Sequence, residues 1–328
     1  MKATRLAVTA TVSALALLVA ACGGAAEEPT ATGPGYPVTV TNCGAEVTFR
    51  SAPERVVLLK SAAVPYLHAL GVLDRVTARA GQYPKEYYDA ETLAALDRIP
   101  LLTDKIDTSG HLQISKEVVI SQEPDLVLGE VDSLSRDSLS AVGIPLLEEP
   151  AMCPNSTGTP SFDDIYRQLE TYGRVFGREA EAATAVDALR DRMTTIQAAA
   201  GTASGRTAAV LYPTVGGGTT YAYGSTSMAH PQLAAAGFRN VFGDTSERVF
   251  EVTVEELLGR NPDVLILLHS DGDPAAVEQA LTGLPGAEKL NAVRDGAVMT
   301  QLFNFTEPPT PLSIDGLERI VQRFGTDS

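Results

Sequence analysis

Two segments of the chain repeat one local pattern, and this repeat limits the possible folds more than any other feature. Ser115–Leu128 and Thr253–Ile266 each begin with a hydroxyl side chain, continue through a short helix-favouring stretch, reach Pro-Asp and then enter an apolar run. A hydroxyl residue favours a helix N-terminus, and a proline disfavours helix at the residue before it. Each segment is therefore predicted to be a short helix followed by a strand. Its occurrence once in each half predicts two homologous lobes.

The rest of each half alternates short apolar runs with helical patterns. Continuous apolar strands separated by helices are typical of a parallel sheet that is covered on both faces. An alternating pattern around Cys43-Gly44 predicts a β-hairpin that precedes them. The predicted strands are 38–42 and 45–49 in the hairpin, 55–59, 125–129 and 144–147 in the first half, and 208–212, 264–268 and 297–299 in the second.

The middle of the chain has helical patterns with no strand between them. Residues 162–176 follow Ser161, a plausible N-cap with Asp164 three residues later, and 178–200 form a long Ala-rich pattern. A straight helix of that length spans about 30 Å, so it can act as a rigid rod between two lobes. We predict an α/β fold with two doubly wound lobes, central and mostly parallel sheets, and a single long α-helix that joins the lobes.

The N-terminus has the layout of an export signal. Met1–Arg5 is cationic, residues 6–18 are apolar, and small residues directly precede Cys22. This ending resembles the bacterial lipobox and predicts lipidation of Cys22, although an ordinary signal peptide or an uncleaved anchor would share the layout. The predicted divisions are a signal peptide at 1–22, a flexible tether at 23–37, an N-terminal lobe at 38–160, a helical segment at 161–204 and a C-terminal lobe at 205–328.

The net charge and the cysteines indicate which partners, location and cross-link to expect. The net charge of −16 argues against nucleic acid and against electrostatic binding to anionic lipids. We expect the protein on the outer face of the cytoplasmic membrane, held there through its lipid anchor. Exported cysteines meet an oxidising compartment, so Cys43 and Cys153 are predicted to form a disulfide, the alternative being two free buried thiols.

Four short stretches resemble a known family. Residues 52–57, 70–76, 123–127 and 172–179 resemble the iron-siderophore, haem and cobalamin binding proteins of bacterial ABC importers, and the resemblance extends from Val38 to the C-terminus. It implies a monomer whose two lobes close on a small iron chelate and then dock on an ABC permease and ATPase complex. By the same resemblance Glu117 and Glu255 would pair with permease arginines. A first-turn glutamate can equally serve only to compensate the helix dipole.

Ligand contacts are expected beyond the carboxyl ends of the strands, where doubly wound lobes bind ligands. Tyrosines there could stack on a chelate, and Lys60 and Arg79 could complement an anionic ferric siderophore. The alternative is that these tyrosines pack against their own lobe. The candidates are Lys60, Tyr66, Arg79, Tyr83, Tyr87, Tyr212, Tyr221, Tyr223, His269, Phe303 and Asn304.

No catalytic or metal-binding pattern stands out. The sequence has no Gly-x-Ser-x-Gly and no paired metal-ligand spacing among its four histidines, of which His269 is the best candidate for a haem or metal ligand. We therefore expect a binding lipoprotein for an iron complex, with a ferric siderophore favoured, no catalytic residues, no metal site and no intrinsic cofactor. Haem or a corrinoid as cargo, or a scaffold or signalling lipoprotein, are the alternatives.

Overall fold

The structure is a computed structural model that describes residues 33–107, 111–154, 156, 158–201 and 205–325. The predicted signal peptide with Cys22, and most of the predicted tether, lie outside the described residues. Along the described chain, no helix combines the length and the apolar character needed to cross a membrane.

The first regular element among the described residues is the predicted antiparallel hairpin. Strands β1 (Val38–Asn42) and β2 (Ala45–Phe49) pair over their full length, with Cys43 at the turn in a positive-φ conformation. Cys43 is bonded to Cys153 with a Cα–Cα distance of 5.2 Å, which confirms the predicted disulfide. The disulfide attaches the hairpin to the end of the N-terminal lobe.

The N-terminal lobe is built on a parallel sheet of four strands. Its elements are β3 (Val56–Leu58), α1 (Val64–Ala69), β4 (Val76–Arg79), α2 (Ala90–Leu96), α3 (Lys116–Ile120), β5 (Leu126–Leu128), α4 (Arg136–Ser140) and β6 (Leu146–Leu147). The strands lie in the order β4-β3-β5-β6. The sequence predicted β3, β5 and β6, whereas β4 and α2 were not predicted.

Two long helices follow, as predicted from the absence of a strand. In α5 (Phe162–Phe176) the carboxylate of Asp164 accepts hydrogen bonds from the backbone N–H (2.6 Å) and the hydroxyl (3.0 Å) of Ser161, which is the predicted cap. The second helix is α6 (Glu179–Ala200), and Gly177 at φ 62° makes the turn between them.

The C-terminal lobe contains a sheet in the order β10-β8-β7-β11-β12, with β9 paired to β7. The elements are β7 (Thr207–Pro213), β8 (Thr220–Tyr223), α7 (Ala229–Ala235), β9 (Arg239–Asn240), β10 (Val249–Val252), α8 (Val254–Arg260), β11 (Val264–His269), α9 (Pro274–Thr282), α10 (Asn291–Arg294), β12 (Val298–Leu302) and α11 (Pro311–Phe324).

One edge of this second sheet departs from the parallel arrangement. Strands β7, β11 and β12 are parallel, but β8 runs antiparallel to both β7 and β10. Gly216, Gly217 and Gly218 all have positive φ (90°, 94° and 141°) and reverse the chain between β7 and β8. Glycine reaches these angles without the steric cost that a Cβ imposes, so the glycine run makes a hairpin turn here.

The two lobes share one buried core. Leu58 of β3, Ile266 of β11, Ile196 of α6 and Leu317 of α11 belong to the same continuous apolar cluster. Helix α6 packs against α5 and against α1 and α11, which come from opposite lobes. The long helix therefore lies against both lobes.

Candidate ligand cleft between the lobes

The carboxyl ends of strands from both lobes face each other. Ser61 follows β3, and Asn304 follows β12. The side-chain amide of Asn304 donates to the Ser61 hydroxyl (3.1 Å), and its backbone N–H donates to the hydroxyl of Tyr87 (2.9 Å). Because strand ends in an α/β sheet are where ligands bind, this meeting point defines the candidate cleft.

Aromatic rings surround the meeting point from both lobes. The ring of Tyr87 lies edge-on to Phe305 (5.0 Å between centroids) and to Tyr88 (5.9 Å). On the other side the ring of Tyr212 lies 6.3 Å from that of Phe303, and its hydroxyl donates to Ser270 (3.2 Å). The cleft thus combines flat apolar faces with neutral hydroxyl groups.

The tyrosines of the N-terminal lobe are held as neutral phenols. The Tyr83 hydroxyl donates to the carbonyls of Ala80 (3.2 Å) and Leu58 (3.4 Å), and the Tyr88 hydroxyl donates to the Ser61 carbonyl (3.3 Å). Loss of hydration on burial raises the pKa of Tyr83, Tyr87 and Tyr88. These groups can offer hydrogen bonds and ring faces, but not phenolate charge, near neutral pH.

The two predicted cations behave differently. The guanidinium of Arg79 lies 4.9 Å from the Tyr83 ring centre, and its Nε donates to the Ile99 carbonyl (3.3 Å). The ammonium of Lys60 lies 2.6 Å from a carboxylate oxygen of Glu148, whose side chain is only 2% exposed. Glu148 was not among the predicted residues. Its position directly after an apolar strand, at a carboxyl end, is the sequence signal that could have identified it.

Three predicted residues lie in packed surroundings instead of at the meeting point. Tyr66 is fully buried in the shared core, and its hydroxyl donates to the Pro309 carbonyl (3.0 Å). Tyr223 is 3% exposed, and burial raises its pKa. His269 is 7% exposed, with Nδ1 3.0 Å from the Asp271 carbonyl. All three side chains are buried away from the contacts among Ser61, Tyr87 and Asn304, and their ligand role stays a prediction.

The remaining predicted aromatic residue lies beside the cleft. Tyr221 is half-buried on β8, and the strand register places it directly opposite Tyr212. Opposite residues of an antiparallel pair point to the same face of a sheet. Tyr221 therefore extends the aromatic surface that begins at Phe303 and Tyr212.

Glu117 and Glu255 occupy equivalent places in the repeat. Glu117 lies in the first turn of α3, which Ser115 caps, and Glu255 lies in the first turn of α8, which Thr253 caps. Both are exposed. Hydrogen bonds from its own backbone N–H and from Ser115 lower the pKa of Glu117. Their predicted helix positions are confirmed, and their docking role stays a prediction.

A surface groove of about 450 Å³ borders the cleft where Glu86 and Phe305 approach α11. Arg192 of α6 pairs there with Asp315 and Glu318 of α11. Two of the groove's acidic groups, Asp315 and Glu318, thus already have a partner within the protein. Among the described residues, no group of three or more histidine, cysteine or acidic side chains could hold a metal ion.

The two-lobed fold agrees with a match to a known protein family. Residues 56–301 match the model of the periplasmic binding protein family. The chain belongs to this family. The resemblance inferred from the short motifs is therefore confirmed, and the family points to a location outside the cytoplasm.

Individual relatives cover most of the chain. The crystal structure of an ABC-type Fe³⁺-hydroxamate transport system from Saccharomonospora viridis DSM 43017 is 58% identical, with a TM-score of 0.85, over 89% of this chain and 100% of that chain. An ABC transporter substrate-binding lipoprotein of Bacillus subtilis (strain 168) is 24% identical over 95% of each chain. A cobalamin-binding protein of Halobacterium salinarum is 24% identical over 88% of this chain and 74% of that protein.

Proposed function

We propose that this protein captures a ferric hydroxamate siderophore between its lobes and delivers it to an ABC permease. The observation that carries the proposal is the inter-lobe cleft at Ser61, Tyr87 and Asn304, where neutral hydroxyl and amide groups meet aromatic rings. The similarity to the hydroxamate-transport protein of S. viridis supports the same ligand class. The energy for import comes from the transporter's ATPase, and this chain supplies binding without catalysis.

The chemistry of the cleft suits such a chelate. A ferric hydroxamate presents oxygen acceptors around the metal and flat chelate rings. The hydroxyl of Tyr87, which accepts from the Asn304 N–H, and the Asn304 amide can donate to those oxygens. The rings of Tyr212, Tyr221 and Phe303 can pack on the flat faces. Aromatic and apolar lining with few polar groups is usual for small-molecule sites.

The remaining predictions from the sequence form part of this proposal. Lobes at 38–160 and 205–328 with a helical segment at 161–204 agree with the two separate sheets and the helices between them. Lipidation of Cys22 and a monomeric state complete it. Haem or cobalamin is the alternative cargo. The buried, hydrogen-bonded position of His269 disfavours it as an axial ligand for haem.

A thermal-shift panel tests the ligand class. The purified full-length protein in detergent is melted with ferrichrome, with iron-free ferrichrome, with haem and with cobalamin. Saturation at a hundred times the dissociation constant should stabilise the folded state by about 2.7 kcal/mol. We expect a shift with ferrichrome and none with its iron-free form. A shift with haem or cobalamin alone would replace the proposed cargo, and no shift at all would contradict import of these chelates.

A further inference from the structure

Glu148 lies beneath the cleft wall and joins three strand-end segments of the N-terminal lobe. One of its carboxylate oxygens accepts from the ammonium of Lys60 (2.6 Å) and from the backbone N–H of Glu130 (2.8 Å). The other accepts from the N–H of Glu149 (2.7 Å). Lys60 follows β3, Glu130 follows β5 and Glu148 follows β6. This carboxylate therefore holds the wall of the cleft together from behind.

The hairpin keeps Glu148 in place. The side-chain amide of Asn42 donates to the Glu148 carbonyl (2.7 Å) and accepts from its N–H (2.9 Å), as a neighbouring strand would. Arg136 donates to the same Asn42 side chain and to the Leu146 carbonyl. The Cys43–Cys153 disulfide lies one residue beyond Asn42. Glu148 thus has little freedom to move away from Lys60.

Lys60 lies closer to the candidate cleft than Glu148 does. Its methylene chain occupies the space that a side chain on Gly129 would need, since a Cβ there would lie 3.0 Å from the Lys60 Cγ. Its side chain keeps 33% of its surface exposed, against 2% for Glu148. The next residue, Ser61, contacts Asn304 of the other lobe. The ammonium therefore reaches the edge of the cleft, whereas its partner carboxylate does not.

The Lys60–Glu148 pair carries no net charge of its own. Next to it, the carboxylate of half-buried Glu130 accepts from the Arg136 backbone N–H (3.4 Å), and the Arg136 guanidinium donates to Asn42 and to the Leu146 carbonyl. Opposite charges at close range in a buried site interact strongly because water screens them little. An anionic chelate would meet an ammonium that already has a partner and a fixed carboxylate behind it.

We propose that Glu148 is a positioning residue that makes the cleft selective for ferric chelates of low net charge, by neutralising Lys60 from behind. The proposal rests on the proposed function and names the charge class of its ligand. It changes the interpretation of Lys60, which the sequence alone suggested as a complement to an anionic siderophore. Glu148 need not touch the ligand, because it acts through the ammonium it holds.

The test compares two chelates of different charge. Binding of neutral ferrichrome and of the anionic ferric complex of aerobactin is measured by quenching of tyrosine fluorescence, since the chain has ten tyrosines and no tryptophan. Glu148→Gln keeps the size of the side chain and one of its two acceptor oxygens but removes its charge. We expect it to strengthen binding of the anionic chelate by about tenfold and to change ferrichrome binding by less than about threefold.

Three further variants make the result specific. Lys60→Met with Glu148→Gln restores a neutral pair and should return the ratio of the two dissociation constants to the wild-type value. Lys60→Met alone leaves the carboxylate unpaired and should shift the ratio in the opposite direction, which also serves if Glu148→Gln does not fold. Glu278→Gln removes the same charge from an exposed site on α9 and should leave the ratio unchanged.

The outcomes separate the two proposals. Equal weakening of both chelates by Glu148→Gln would show a merely structural role and overturn the selectivity proposal. If Glu148→Gln binds ferrichrome but leaves the ratio of the two dissociation constants unchanged, the selectivity proposal is also overturned. If the wild-type protein binds neither chelate, the proposed function itself fails.

Discussion

At the scale of single residues, Glu149 has the most unusual surroundings of the acidic groups near the cleft. It is 4% exposed, one oxygen accepts from the Tyr172 hydroxyl (3.0 Å), and the other has no hydrogen-bond partner among the described residues. Loss of hydration, and then the neighbouring charge of Glu148, raise the pKa of Glu149 from 4.5 to about 8. The folded protein therefore holds this carboxyl group in its neutral form at pH 7.

This raised pKa predicts a specific dependence of stability on pH. Between pH 4.5 and about 8 the folded state keeps a proton on Glu149 that the unfolded chain loses. The contribution of Glu149 to the free energy of unfolding is fully present below pH 4.5. Between pH 4.5 and about 8 this contribution falls by up to about 1.4 kcal/mol for each pH unit. Glu149→Gln should remove this slope and make the protein more stable than the wild type at pH 8.

Urea unfolding at pH 5, 6.5 and 8 measures the difference in the free energy of unfolding between the wild type and Glu149→Gln. All other titratable groups are common to both proteins, so the difference between wild type and variant isolates Glu149. Glu170→Gln on the exposed face of α5 is the matched control and should follow the wild-type slope. Parallel curves for wild type and Glu149→Gln would show that Glu149 ionises normally in the folded state.

At the scale of elements, the contact between α11 and the segment after β12 shapes the cleft. Gly316 of α11 lies so close to this segment that a Cβ there would be 1.8 Å from the carbonyl oxygen of Phe305. Asn304 and Phe305 are the residues that meet Tyr87 across the lobes. The glycine therefore allows α11 to support the turn that carries Asn304 and Phe305 directly.

Gly316→Ala should consequently destabilise the fold by about 1–3 kcal/mol, because backbone and not a flexible side chain must move. It should also weaken ferrichrome binding, since the turn that carries Asn304 shifts. Gly259→Ala is the control: it lies in α8 with open space around its Cβ position. That change should stabilise the protein by up to about 1 kcal/mol. Urea unfolding and chelate titration check both variants, and equal effects of the two would contradict the close-contact argument.

At the scale of the whole molecule, the shared core limits how far the lobes can move. Leu58, Ile266 and Leu317 belong to one buried cluster that includes residues of α6. Wide opening would expose this apolar surface, at a cost of about 25 cal/mol per Å². We therefore expect ligand capture by a closure of small amplitude, with the contacts between Asn304 and Ser61 at its closing edge.

Docking on a permease is also a question for the whole molecule, because the two candidate glutamates lie on different lobes. If Glu117 and Glu255 dock on permease arginines, the variant Glu117→Arg with Glu255→Arg should bind ferrichrome as the wild type does. It should also reduce cellular uptake by about tenfold or more, because like charges then face each other at two sites. Glu278→Arg makes the same charge change at an exposed site outside both helices. Normal uptake by the double variant would restrict both glutamates to a role in their helix dipoles.

Sequence-based prediction worked best where the determinants are local. The hairpin 38–49, helix 162–176 and the strands after each Pro-Asp were predicted with nearly the observed bounds, because periodicity, turn residues and caps act within a few positions. Strand β4 was missed because it is short and mixes polar with apolar residues. The antiparallel edge was missed because its pairing depends on a glycine turn and on a neighbouring strand.

The sequence itself determined two α/β lobes, the helices between them and a disulfide, since repeats, hydrophobic periods and two cysteines left to pair are visible along the chain. Which side chains form the cleft was decided only by the tertiary structure. Ser61 and Asn304 are 243 positions apart, and Lys60 and Glu148 are 88 apart. Local pattern specifies where a strand begins and ends, whereas packing within each lobe and between the lobes specifies which strand-end residues meet.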